Sequence, residues 1–149
     1  MGFYSSIEIS ASGLSAERVA KEVIANNIAN VNTTRTPQGG AFKRQLVVFA
    51  QKPDSTQATG ADTTPSDAAG NGMAGVEAVG IVSDRSPDRL VYDPTNPEAD
   101  GSGYVHMPNI EVVKEMVDMM AASRAYEANV SAIQEARAMG TAAMNLLKA

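Results

Sequence analysis

The residues best equipped for chemistry in this chain are few and poorly spaced for it. His106 is the only histidine and there is no cysteine in 149 residues. No histidine pair or thiolate set is therefore available for zinc, and no thiol can act as a nucleophile or close a disulfide. Asp93, Asn96, Glu98 and Asp100 form a close-spaced run of oxygen donors, the ligand type a hard cation such as calcium needs. Their spacing departs from an EF-hand loop, and Pro94 and Pro97 stiffen the segment, so the run reads as a solvated turn and no metal is assigned. The serines lack a Gly-x-Ser-x-Gly elbow, and one histidine does not make a triad. Gly70, Gly72 and Gly75 are not followed by Lys-Ser or Lys-Thr, so no phosphate cradle is formed. The expectation is a protein with no catalytic residues, no cofactor and no small-molecule substrate.

Charge and hydropathy exclude further classes. The net charge is -5 and there is no basic run, which argues against a nucleic-acid partner. No apolar stretch approaches the roughly 20 residues that cross a bilayer. The first residues lack a basic segment leading into an unbroken apolar one, so an ordinary cleaved signal peptide is not expected. With chemistry set aside, the informative residues are those that would position a chain against itself or its neighbours.

The clearest such pattern lies at the C-terminal end. Val112, Met116, Met119, Tyr126, Val130, Ile133, Met144 and Leu147 recur at steps of four and three, with Ser123, Arg137 and Gly140 as exceptions. This is a heptad seam. Proline is absent after Pro108, alanine is frequent, and Asn109 can cap the start, so one helix is expected over most of 109–149, roughly 55 to 60 Å long. Near the other end, Ala16, Ala20, Val23, Ile24, Ile28 and Val31 form a shorter stripe after serine-containing cap positions between Ser10 and Ser15. Asn26, Asn27, Asn30 and Asn32 cluster where that helix should stop. Such asparagines either decorate a fraying end or lie in a helix interface, where a buried amide needs a specific partner and sets register.

The middle of the chain changes character. Gln38–Gly40 signals a turn, Phe42–Phe49 reads as a strand, Val76–Val82 as a second and Tyr104–Met107 as a short third. The Ser, Thr, Asp, Ala and Gly composition of 54–75 predicts a mobile loop. The fold class expected is mainly α, with long N- and C-terminal helices forming a coiled-coil-like core and a small β-rich middle element. The division is an N-terminal helical arm over 1–35, the β-rich element over 36–108 and a long helix over 109–149.

Ser12-Gly13-Leu14 followed by Ala25-Asn26-Asn27-Ile28-Ala29-Asn30-Val31-Asn32-Thr33 resembles the N-terminal motif of bacterial flagellar axial proteins, the rod, hook and hook-associated subunits. The C-terminal seam is similar to their other shared element. Phe42–Phe49, Tyr92-Asp93-Pro94 through Asp100, Gly103-Tyr104-Val105, Pro108-Asn109-Ile110, Glu115-Met116-Val117 and Ser123–Asn129 resemble the proximal rod branch of that family. The resemblance implies a structural subunit that stacks helically through its terminal helices and transmits torque. It implies export through the flagellar type III apparatus without a cleaved signal, a place in the periplasmic rod of the basal body, and self-association. Other rod subunits and the rod-to-membrane-ring adaptor are the further partners implied. Another short rod subunit and a soluble helical adaptor are the competing readings. The expected assembly interface comprises Leu14, Ile24, Ile28 and Val31 on the first arm and Met116, Met119, Tyr126, Val130, Ile133, Met144 and Leu147 on the second. Asn27, Asn30 and Asn129 are the expected polar register-setters.

Overall fold

The computed structural model describes residues 3–52 and 75–146. Six elements follow in order: α1 (Phe3–Ala29), β1 (Gln45–Gln51), β2 (Val76–Ser83), β3 (Arg89–Tyr92), β4 (Tyr104–Met107) and α2 (Val112–Leu146). The 54–75 loop expected from composition falls almost wholly outside the described residues; only Gly75 is within them.

The two helices lie antiparallel and are each other's main partner. Near the end of α1, Asn27 meets Glu115 at the start of α2, while Gly13, farther back on α1, meets Asn129 farther along α2. On α1 the buried positions are Ala16, Ala20, Val23 and Asn27, and on α2 they are Glu115, Ala122 and Ala136. The α1 set steps by four and three and the α2 set by seven and its multiple, which is the heptad spacing a seam between two helices requires. Its side chains are mostly small, so the helix backbones can approach closely. A Cβ on Gly13 would stand 2.9 Å from the Asn129 amide nitrogen, so this position has room only for glycine as Asn129 now sits.

Three expectations about the helices are corrected here. First, α1 starts at Phe3, so the serines between Ser10 and Ser15 lie inside it; Ser12 and Ser15 donate to carbonyls three residues back, which lets hydroxyls sit in a helix. Second, the row Met119, Tyr126, Ile133 and Gly140 does face α1, half-buried, but its companion row is Glu115, Ala122, Asn129 and Ala136. The expected companion row of Met116, Ser123, Val130, Arg137 and Met144 lies one residue further round, with Met116, Arg137 and Met144 exposed. Ala122 and Ala136 are the packing surface here, and their small side chains let the two backbones come close. Third, α2 begins at Val112, and Asn109 accepts from the Arg44 main-chain N–H at 3.2 Å instead of capping the helix.

The middle consists of two antiparallel two-stranded sheets, β1 with β2 and β3 with β4. The first runs from Gln45 opposite Ser83 to Gln51 opposite Val76, with a bulge at Val48/Phe49, and packs on α1. Its first turn of chain, Phe42–Arg44, is not strand: Phe42 donates to Thr33 and Ala41 is buried. The Gln38–Gly40 turn is present, with Gly39 and Gly40 both at positive φ and a Thr36 to Gly40 backbone bond. Strand β3 has no counterpart in the sequence reading. It has only four residues, all exposed, and exists through its register with β4, Arg89 opposite Met107 to Tyr92 opposite Tyr104.

Candidate assembly surface

Where α1 ends, the chain enters β1 and α2 begins, a polar node closes the junction. Asn27, almost fully buried, donates through Nδ2 to the Gln45 carbonyl at 2.9 Å and to Glu115 Oε2 at 3.0 Å, and its Oδ1 accepts from the Gln45 N–H at 2.9 Å. Glu115 has no exposed surface, and its other oxygen accepts from Arg44 Nε at 2.5 Å. Arg44 also reaches Asp118 Oδ2 at 3.2 Å. The Glu115 carboxylate, the Arg44 guanidinium and the Asn27 amide thus satisfy one another inside the junction, where the buried carboxylate or amide alone would be costly, and the half-exposed Asp118 flanks them at its edge. The arrangement uses the side chain of Asn27 within the chain, so this amide fixes how the helical pair meets β1.

Two further ties set the β elements on the helices. Ser12 Oγ, while donating to Ile9, accepts from the Val76 N–H at 3.0 Å and so anchors the start of β2 to α1. Lys43 Nζ pairs with Asp88 Oδ1 at 2.5 Å, and His106 Nδ1 lies 3.7 Å from Asp88 Oδ2. Together they join the segment before β1 to the β3–β4 hairpin. The oxygen cluster of the β3–β4 turn is occupied by its own backbone. Asp93 accepts from Thr95, Asn96 from Glu98, and Asp100 from Ser102 and Tyr104. The backbone bonds from Tyr104 and Ser102 hold the Asp100 carboxyl below the usual aspartate range. At Asp84 the Ser86 hydroxyl and then the Ser86 N–H do the same. Gly103 completes this turn at φ 80°, where a Cβ would also press on the Tyr92 ring at 3.0 Å.

The apolar surface left over is on the other side of α2. Val113 is 69% exposed, Met116 55%, Val117 53% and Met120 53%, and nothing among the described residues covers them. They sit within the first nine residues of a 35-residue helix, as one patch. On the β1–β2 sheet Leu46, Val48, Phe49, Val79, Ile81 and Val82 are also largely exposed. Large apolar side chains this exposed, grouped at the start of α2 and again on the sheet, are candidates for contact sites.

The expected interface residues divide accordingly. Asn27, Met119, Tyr126, Asn129 and Ile133 lie in the seam between the two helices of one chain. Tyr126 also lies under Lys21, whose ammonium is 4.9 Å from the ring centroid. Asn30 serves the helix end: it donates to Asn26 O and Oδ1 and accepts from Thr33. Leu14, Ile24, Ile28, Val31 and Val130 are half-buried, Met116 and Met144 are exposed, and Leu147 lies outside the described residues. Arg44, Glu115, Val113, Val117 and Met120 were missed. A signal existed for Glu115, since it continues the 122, 129, 136 heptad row; Arg44, alone in a short polar run, offered none.

Both helical arms match families of known proteins. Residues 7–35 match a family described as flagella basal body rod protein, and residues 102–146 match the C-terminal region described for flagellar basal body rod FlgEFG proteins. The two ends of this antiparallel pair are thus the shared elements of flagellar rod proteins. Full-length relatives narrow the class. The chain is 43% identical to the flagellar basal-body rod protein FlgC of Borreliella burgdorferi, over 99% of each chain. It is 38% identical to that of Bacillus subtilis, over 99% of this chain and 100% of the relative. With that of Salmonella typhimurium the identity is 35%, over 93% of each. The chain belongs to the FlgC family, structural rod subunits of the flagellar basal body.

Proposed function

We propose that this rod subunit assembles helically about the rod axis through its paired terminal helices, in the periplasmic part of the basal body, and passes torque from subunit to subunit through packed side chains. The observation that carries this reading is the patch of Val113, Met116, Val117 and Met120, exposed on the face of α2 that α1 does not cover. A helix pair with one face closed internally and another still apolar is built to bury the second face against a neighbour. Met116, Met144, Val130, Leu14, Ile24, Ile28 and Val31 are assigned to contacts between subunits. The residues of the internal seam and node act upstream of those contacts by giving the subunit one shape. A repeated contact between unlike surfaces produces a helical array instead of a closed ring. The neighbours are copies of this chain, other rod subunits and the adaptor that joins the rod to the membrane ring. Passage to the rod is through the flagellar type III export apparatus without a cleaved signal.

Electron microscopy of basal bodies from a strain lacking this chain, with the intact gene restored as control, tests the reading. Loss of rod, hook and filament with the membrane ring retained is expected. Normal flagella in that strain would remove it.

A further inference from the structure

Three thioethers fall close together near the start of α2, on Met116, Met119 and Met120. Intervals of three and four put both later methionines beside Met116 on the helix surface, with about 5 to 6 Å between Cβ atoms. Long side chains on a helix lean back toward its N-terminus, so Met119 and Met120 both reach over the turn that holds Met116. Met116 and Met120 are 55% and 53% exposed, and Met119 is half-buried at the rim of the seam. The group is therefore open to solvent on one side and backed by α1 on the other. Val113 and Val117 stand beside it and bring neither charge nor hydrogen-bonding side chain. Met139 and Met144 are equally exposed, but at an interval of five they point to different sides of the helix.

We infer that Met116, Met119 and Met120 form a binding site for a soft monovalent cation, copper(I) or silver(I). Thioether sulfur selects such ions and leaves zinc, calcium and magnesium to nitrogen and oxygen ligands. Three sulfurs at neighbouring helical positions supply the whole donor set from one element. No stronger soft ligand competes, because the chain has no cysteine and its single histidine, His106, lies on β4 beside Asp88. A net charge of -5 favours a cation. Two cationic side chains border the site: Arg89, across the groove from Val113, and Arg124, one turn beyond Met120. Both are exposed, and their length lets the guanidinium stay in water away from the sulfurs. The positive end of the helix dipole is felt in the first turn, and Met116 lies beyond it. The inference goes beyond the rod-assembly reading and does not rest on it.

Silver(I) nitrate is the probe, since it brings the soft charge without the air oxidation of copper(I). Purified full chain, labelled with carbon-13 at the methionine methyl groups, is titrated in a buffer free of chloride and thiols. At one equivalent the methyl signals of Met116, Met119 and Met120 should shift together while those of Met107, Met139 and Met144 hold. Met116→Leu and Met120→Leu replace exposed side chains with one of similar size, so the urea midpoint should stay unchanged. Each should weaken binding by about tenfold or more, since even a partner behind a ligand is worth that much. The two together should abolish the joint shift, whereas Met139→Leu with Met144→Leu should leave it intact. Equal shifts at every exposed methionine would mean adventitious binding to single thioethers and would overturn the site. No shift at one equivalent, or unchanged affinity in the chain carrying both Met116→Leu and Met120→Leu, would overturn it as well.

Discussion

Arg44 is the residue on which the junction between helices and strands turns. Its guanidinium is the cation that faces Glu115, and Glu115 has no solvent to fall back on. Arg44→Ala should lower stability by about 3 kcal/mol, because it strands a buried carboxylate. Adding Glu115→Leu to an Arg44→Met chain should recover most of that loss, since an apolar pair needs no partner. Urea unfolding of the three variants checks both statements, and equal stability of Arg44→Ala and the parent would show that the pair is solvated. How much of this was legible varies by residue. An asparagine in a helix interior announces that its amide needs a partner, so Asn27 could be singled out. Its partners could not, because Gln45 lies 18 residues away and Glu115 lies 88. Glu115 shares the heptad row of Ala122, Asn129 and Ala136, but nothing in the short run around Arg44 marks it as the buried partner of that carboxylate.

At the scale of elements, the helices were legible because periodicity is a property of the segment itself, and α2 reads across unbroken. The phase of the seam was not. A heptad with methionine and valine on one row and alanine on the next looks as though the large side chains should be inside. Close packing against Gly13, Ala16 and Ala20 instead selects the small ones and leaves Met116 outside. Strand β3 was illegible for a similar reason, since four exposed residues between Pro87 and Pro94 become a strand only when β4 is alongside. The start of β2 is tied to α1 through one hydroxyl, in addition to the packing of the sheet on the helix. Ser12→Ala removes the acceptor of the Val76 N–H and should cost about 1 kcal/mol. Amide exchange should locate the effect: Val76 should lose protection while the α1 and α2 amides keep theirs. If Val76 exchanges at its parent rate, the β1–β2 pairing alone holds that end of the strand.

For the whole molecule the decisive contrast is between a folded subunit and an assembled one. The internal seam, the node and the two two-stranded sheets account for the shape of the described chain without using the apolar patch at the start of α2. A substitution in that patch should therefore separate folding from assembly, which a seam substitution cannot do. Met116→Asp places a carboxylate on a side chain already more than half in solvent, so the isolated subunit should keep its unfolding midpoint to within about 0.5 kcal/mol. In the rod the same position would bury that charge against a neighbour, while losing the roughly 1.5 to 3 kcal/mol that a buried methionine contributes at each contact. Because every copy carries the change, the penalty recurs along the array. The expected outcome is a stable, exported subunit that is missing from isolated basal bodies, with motility lost. If Met116→Asp is incorporated normally at unchanged stability, the patch faces solvent in the rod, and the exposed face of the β1–β2 sheet becomes the surface through which subunits must push on one another.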